Sequence, residues 1–165
     1  MNKKFEIGEQ VVYPAHGVGK IVNIESQKLG DIELEVYAVF FEAEKMTLKV
    51  PVDSAQECGL RKLADRKELT KMYKTLQSQP KQGSRMWSRR AQEYESKIHS
   101  GDILAIAEVL CALYKNALSD RSFSERSIYE LALHRLAQEV AVLEKISMED
   151  ALEKLVCMLR DRFAA

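Results

Sequence analysis

The chain has 165 residues with 25 basic and 25 acidic side chains, so its formal net charge is zero. This length suits one or two small domains and excludes a large multidomain enzyme. Hydrophobic residues make up 46% of the chain, which is typical of a globular protein with a core, and the zero net charge excludes a uniformly basic nucleic-acid coat.

Cysteine usage and hydropathy point to the interior of a cell. Three cysteines lie far apart in sequence, a spacing that fits neither a disulfide framework nor a metal-ligand cluster. The longest apolar runs, such as residues 36–41, are far shorter than the roughly 20 residues that cross a bilayer. The first nine residues carry acids where a signal peptide needs an apolar stretch. We therefore expect a cytoplasmic protein with no membrane partner.

The first 50 residues show the patterns of four or five short strands. Residues 11–13 and 18–25 are rich in β-branched side chains, and turn-forming residues lie at 14–17 and 29–31. Residues 32–41 and 46–50 alternate between apolar and polar side chains, which is typical of half-buried strands. In the longer of these two segments, we expect a buried face opposite Glu33 and Glu35, formed by Ile32, Leu34, Val36, Ala38 and Phe40.

From residue 65 onward the periodicity is helical and predicts about five helices. Asp65 with Glu68, and Ser147 with Asp150, have the spacing of capping boxes. Two long apolar stripes follow the i, i+3, i+4, i+7 spacing of a helix face. They comprise Ile103, Ile106, Ala107, Leu110, Leu113 and Ala117 in one segment, and Ile128, Leu131, Ala132, Leu136, Val140 and Leu143 in the next.

The change of period predicts an α+β fold in two parts. Residues 1–58 are expected to form a small Tudor-like or SH3-like antiparallel β-barrel. Residues 59–165 are expected to form an all-α helical bundle, because helical patterns alternate there with short polar turns.

Positive charge is concentrated in the middle of the chain. Residues 61–99 hold 11 basic and four acidic side chains, whereas residues 1–60 hold six basic and ten acidic ones. A basic segment inside a neutral protein is typical of a localised contact with nucleic acid.

The only tryptophan, Trp87, stands in this basic segment among Arg85, Arg89 and Arg90. Arginines bind phosphates, and a flat apolar ring can stack on a base or wedge into the minor groove. The same ring also falls on a helix face with Ala91 and two further apolar residues, so a packed core tryptophan is the alternative interpretation.

The sequence contains no recognisable catalytic or metal-binding constellation. His16, His99 and His134 are scattered, and none has a cysteine or acid at the spacing of metal ligands. Two strand carboxylates, Glu33 and Glu35, lack a partner base. We therefore predict that the protein is not an enzyme and uses no metal, cofactor or small-molecule substrate.

Four motifs in order resemble those of the CarD/CdnL family of bacterial transcription regulators. They are residues 11–19 (VVYPAHGVG), residues 46–52 (MTLKVPV), residues 87–90 (WSRR), and the turn at residues 100–102 followed by Ala107-Glu108-Val109. The resemblance covers nearly the whole chain.

The resemblance implies a Tudor-like domain that binds the RNA polymerase β subunit, with contacts at Lys49 and Thr47 on one strand and at Gln27. It also implies a helical domain that touches promoter DNA without reading its sequence. In this family the tryptophan that corresponds to Trp87 is a minor-groove wedge at the upstream edge of the transcription bubble, which stabilises the open promoter complex.

The same resemblance implies the remaining site residues. Arg89 and Arg90, with Arg85 nearby, match basic positions suited to phosphate contact. Gln27 and Gln92 stand where some relatives carry basic residues, which implies weaker contacts with polymerase and DNA. The competing hypothesis is a peptide-binding adaptor, a barrel on a helical scaffold that never touches nucleic acid.

Overall fold

A computed structural model of the chain describes residues 5–78, 86–117 and 123–164. The chain divides into two compact units, Met1–Leu63 and Ala64–Ala165. The first unit holds an antiparallel sheet and the second holds five helices among the described residues, so the predicted two-part α+β fold is confirmed. The strands are β1 (Gln10–Tyr13), β2 (Gly17–Leu29), β3 (Ile32–Phe41), β4 (Met46–Pro51) and β5 (Arg61–Lys62), with a 3₁₀ turn at Val52–Ser54. The helices are α1 (Arg66–Leu76), α2 (Trp87–His99), α3 (Ile103–Ala117), α4 (Phe123–Glu144) and α5 (Met148–Ala164).

The sheet has the strand order β4-β3-β2-β1-β5 and is open rather than closed into a barrel. Its fifth strand lies beyond the first 50 residues, where four or five strands were predicted, and at two residues it is too short to show a period. This strand pairs Arg61 with Val12 and Lys62 with Val11. No pairing in the described part of the chain joins β5 to β4, so these two strands form the edges.

The buried face of β3 differs from the prediction. Tyr37, Val39 and Phe41, each at most 1% exposed, pack into the core of the first unit, whereas Ile32 is 62% exposed. Val36 and Ala38 are buried as well, on the opposite face. Because both faces are covered in the middle of β3, the alternation in sequence does not reveal which face meets the core.

A glycine allows two strands to pack closely over this core. Gly19 on β2 lies against Val39 and Phe41, and a Cβ atom built at Gly19 would stand 2.8 Å from a side-chain carbon of each. Only a residue without a side chain fits there. The motif at residues 11–19 therefore includes a packing requirement as well as a turn.

Two helix starts form as predicted. Asp65 caps α1 by accepting a hydrogen bond from the backbone N–H of Glu68 at 2.8 Å. At the start of α5, Ser147 accepts one from the backbone N–H of Asp150 at 3.0 Å. Both caps satisfy N–H groups that a helix leaves without partners in its first turn.

The apolar stripes form the core of the second unit, with one exception. Leu131 is 38% exposed, although its spacing predicts burial. Leu143 packs against the core while partly exposed. The side chain of Ala117 and the predicted turn at 118–120 lie outside the described residues. The buried members of the stripes are Ile103, Ile106, Ala107, Leu110, Leu113, Ile128, Ala132, Leu136 and Val140.

Polar contacts inside the second unit join segments that are distant in sequence. Glu139 on α4 is 3% exposed and accepts a hydrogen bond of 2.6 Å from the backbone N–H of Ala64. Near the end of α4, Glu144 accepts from the hydroxyl of Tyr73 on α1 and from Nζ of Lys154 on α5. These contacts hold α1 and α5 against α4. Across the described ranges, no helix combines the length and apolarity needed to cross a membrane.

Candidate nucleic-acid interface and sheet edge

Trp87 is the first residue of α2 and is half-buried. Its ring packs against the core of the second unit, and its centroid lies 6.4 Å from that of Tyr94 at an interplanar angle of 54°. Tyr94 and Ile98, further along the same face, are buried. The ring is therefore anchored to the bundle while part of it remains accessible.

Arg90 holds the indole from a second side. Its guanidinium carbon lies 5.3 Å from the centroid of the Trp87 ring, within the range of a cation–π contact. The Nε atom of Arg90 is buried and has no hydrogen-bond partner among the described residues. The cation–π contact with the ring therefore helps to set the position of this arginine.

The other predicted arginines differ in setting. Arg89 is exposed on the first turn of α2 and available to a phosphate. Arg85 lies outside the described residues. Gln92 is exposed one turn further along the helix.

Met86, the residue that precedes the tryptophan, was not among the predicted site residues. It is the N-cap of α2, has extended backbone angles of φ −77° and ψ 122°, and is 61% exposed. The start of the helix thus carries an exposed methionine next to a half-buried tryptophan. The signal available in sequence was a large apolar residue at a helix cap, where polar residues are preferred.

In the first unit, two predicted contact residues lie on an edge strand of the sheet. Thr47 and Lys49 are exposed on β4, which is the edge of the sheet beside β3. Nζ of Lys49 lies 3.0 Å from Oε2 of Glu25, and this hydrogen bond holds the pKa of Glu25 below its usual range. The positive charge on this edge strand is thus partly neutralised by a half-buried carboxylate.

Gln27 lies on the same face of the sheet but apart from these two residues. It pairs with Leu34 on β3, whereas Lys49 pairs with Ala38, four residues further along that strand. At 3.3 Å per residue this separation is about 13 Å along the strands. The structure therefore brings Thr47 and Lys49 together and leaves Gln27 on the hairpin that extends beyond β4.

Comparisons with known proteins match both units in order. Residues 5–64 match the family described as CarD-like/TRCF RID domain, and residues 71–156 match the family described as CarD, C-terminal domain. A Bacillus subtilis (strain 168) protein named "Putative transcription factor YdeB" is 26% identical over 144 residues, which cover 87% of this chain and 94% of that protein. The second family match spans more than half of the chain, and the resemblance seen in the sequence motifs is confirmed. The chain belongs to the CarD family, a family of transcription regulators rather than enzymes.

Proposed function

We propose that this protein binds the RNA polymerase β subunit through the edge of its sheet and stabilises the open promoter complex with its helical unit. The wedge in this proposal is Trp87, inserted into the minor groove at the upstream edge of the bubble. The observation that carries it is the accessible part of an anchored indole at the first turn of α2, beside the exposed Met86.

The polymerase contact is assigned to strand β4. An edge strand offers unpaired backbone N–H and C=O groups that a strand of a partner can extend. Lys49 and Thr47 are exposed on one face of this edge strand and would select an acidic or polar partner surface. The ion pair between Lys49 and Glu25 is exposed and weak, so a carboxylate of the partner can replace Glu25 at little cost.

The helical unit supplies the wedge. Contacts with Tyr94 and Arg90 orient the indole of Trp87 before DNA arrives, so less freedom is lost on insertion. The exposed Met86 adds a second apolar side chain of a type found in minor-groove wedges. An aromatic–base contact is worth roughly 1–3 kcal/mol, which corresponds to a factor of about 5 to 150 in the lifetime of the open complex.

Tethering explains how a protein of zero net charge acts on DNA. Once the sheet is bound to polymerase, the helical unit is held at high effective concentration beside the promoter. Strong affinity for free DNA is then unnecessary. Because the minor groove displays a degenerate pattern of donors and acceptors, we expect little dependence on base sequence.

The test is the half-life of open promoter complexes after a competitor challenge, with polymerase alone, with the wild-type protein, and with Trp87→Ala. We expect the wild type to lengthen the half-life, Trp87→Ala to abolish the effect, and Trp87→Phe to retain part of it. Binding of both variants to polymerase should persist, and circular dichroism should show that both remain folded.

Two results would favour the alternatives. If the wild type binds polymerase without lengthening the half-life, the peptide-binding adaptor is the better account. If Trp87→Ala unfolds the helical unit, the contacts of the indole with the core are its main role.

A further inference from the structure

Helix α1 carries a row of lysines on the face that points away from the core. Lys67, Lys71 and Lys74 are exposed and stand at i, i+4 and i+7, so they share one side of the helix. The opposite side buries Met72 and Leu76. At 1.5 Å per residue the row is about 10 Å long. We call these three residues the α1 lysine row.

The charge of the α1 lysine row is not neutralised within the fold. No carboxylate in the described part of the chain forms an ion pair with any of its three members. Two other lysines of the same unit are paired, Lys97 with Glu108 at 2.8 Å and Lys154 with Glu144 at 2.5 Å. The described part of the fold therefore leaves the positive charge of the row without an ion-pair partner.

The helices that carry the row and the wedge, α1 and α2, both pack against α3. The carbonyl of Thr75 in α1 accepts a hydrogen bond of 3.0 Å from Sγ of Cys111 in α3. Lys97 in α2 forms an ion pair with Glu108, which lies one turn before Cys111 on α3. Packed helix axes are about 8–10 Å apart, so the axes of α1 and α2 lie within roughly 20 Å. One turn of B-DNA is about 34 Å long, which exceeds this distance between the two helix axes. A duplex that meets Trp87 is therefore long enough to span the distance between α2 and α1.

We propose that the α1 lysine row is a second DNA-contacting surface, which binds backbone phosphates of the duplex that the wedge engages. This inference rests on the proposed function of the helical unit and adds a phosphate contact separate from the wedge. DNA carries one negative charge per about 1.7 Å of its axis, so a row about 10 Å long meets several phosphates. A protein partner fits less well, because protein interfaces are depleted in lysine and rely on apolar anchors, whereas the row consists of charge alone.

The experiment measures binding of the full-length protein to a fluorescent promoter duplex, without polymerase, over a series of salt concentrations. The test variant is Lys67→Gln/Lys71→Gln/Lys74→Gln. If each lysine neutralises one phosphate, the slope of log affinity against log salt falls by about 2.7. Between 50 and 200 mM salt the wild type should then lose roughly 40-fold more affinity than the variant.

Two matched variants serve as controls. Lys67→Arg/Lys71→Arg/Lys74→Arg keeps the three charges and should keep the wild-type slope. Lys97→Gln removes a lysine that is already paired with Glu108 and should change the slope by less than one member of the row does. Circular dichroism establishes that each variant is folded, and single Lys→Gln variants replace the triple variant if it is not.

The outcomes separate this inference from the proposed function. An unchanged slope in the glutamine variant would overturn the inference. The inference would also be overturned if the glutamine variant binds DNA normally but polymerase weakly, because the row would then be a protein contact. Trp87→Ala should keep the salt slope, because an indole releases no counterions. A wild type that fails to lengthen open complexes, yet shows the lysine-dependent slope, would contradict the wedge and support the row.

Discussion

Glu144 shows how one carboxylate stabilises the helical unit. It accepts hydrogen bonds from Nζ of Lys154 and from the hydroxyl of Tyr73, and Nζ of Lys154 also lies 4.8 Å from the centroid of the Tyr73 ring. The hydrogen bond from Lys154, followed by that from Tyr73, holds the pKa of Glu144 below its usual range. Burial, with the neighbouring carboxylate, raises the pKa of Tyr73. Three helices therefore depend on one ionised group.

At the residue scale, we predict that Glu144→Gln lowers the free energy of unfolding at neutral pH by about 1 kcal/mol, since a charge-assisted contact is lost. Because folding lowers the pKa of Glu144, its contribution is present above the ordinary value near 4.5 and disappears as the pH falls below it. Urea unfolding between pH 7 and pH 3 should show a shallower acid decline for the variant. Glu130→Gln, an exposed carboxylate on the same helix, is the control. Parallel pH curves for wild type and Glu144→Gln would contradict this role.

At the scale of an element, strand β4 has one face packed on the core and lies at a free edge of the sheet. It alternates between half-buried or buried apolar residues and the exposed Thr47 and Lys49, so its inner face is committed to the core. Its outer edge pairs with no other strand among the described residues. Exposed edges promote aggregation unless charges protect them, and a lysine is a common protection. Lys49 therefore protects the edge from non-specific strand pairing, in addition to the polymerase contact proposed for it.

We predict that Lys49→Glu weakens binding to the polymerase β subunit by about tenfold, because the reversed charge repels an acidic partner surface. Glu25→Gln is the matched control, since it frees Lys49 from its ion pair and should leave binding equal or tighter. Surface-immobilised β subunit titrated with each variant measures the effect. Equal affinity for wild type and Lys49→Glu would move the contact away from this edge.

At the scale of the whole molecule, the two units have separate cores. The core of the first unit includes Phe5, Tyr37 and Leu60, and that of the second begins at Ala64 and includes residues of all five helices. A unit with its own core can in principle fold alone. The strand β5 (Arg61–Lys62) and the buried Leu60 belong to the sheet.

We predict that a fragment of residues 1–63 folds alone and is more stable than one of residues 1–58, the boundary expected from the sequence. The shorter fragment loses Leu60 and the pairing of β5 with β1. Burying a leucine side chain is worth about 1.5–3 kcal/mol, so the difference should be measurable in thermal unfolding. Equal melting temperatures would favour the boundary after residue 58.

Local patterns determined the elements of this protein. Turn residues, alternation and capping spacings place four strands and the helix starts at Asp65 and Ser147, because these features depend on neighbours within a few residues. The motifs around Val11, Thr47 and Trp87 also revealed the family. All of this information lies within short stretches of chain.

Only the tertiary structure decided which surfaces these elements bury or expose. The choice of core face on β3, the exposure of Leu131 and the existence of β5 depend on strands and helices far away in sequence. The same holds for the contact of Arg90 with the Trp87 ring. Period and propensity are local, whereas burial is settled by which elements pack together, and no single segment of the chain carries that information.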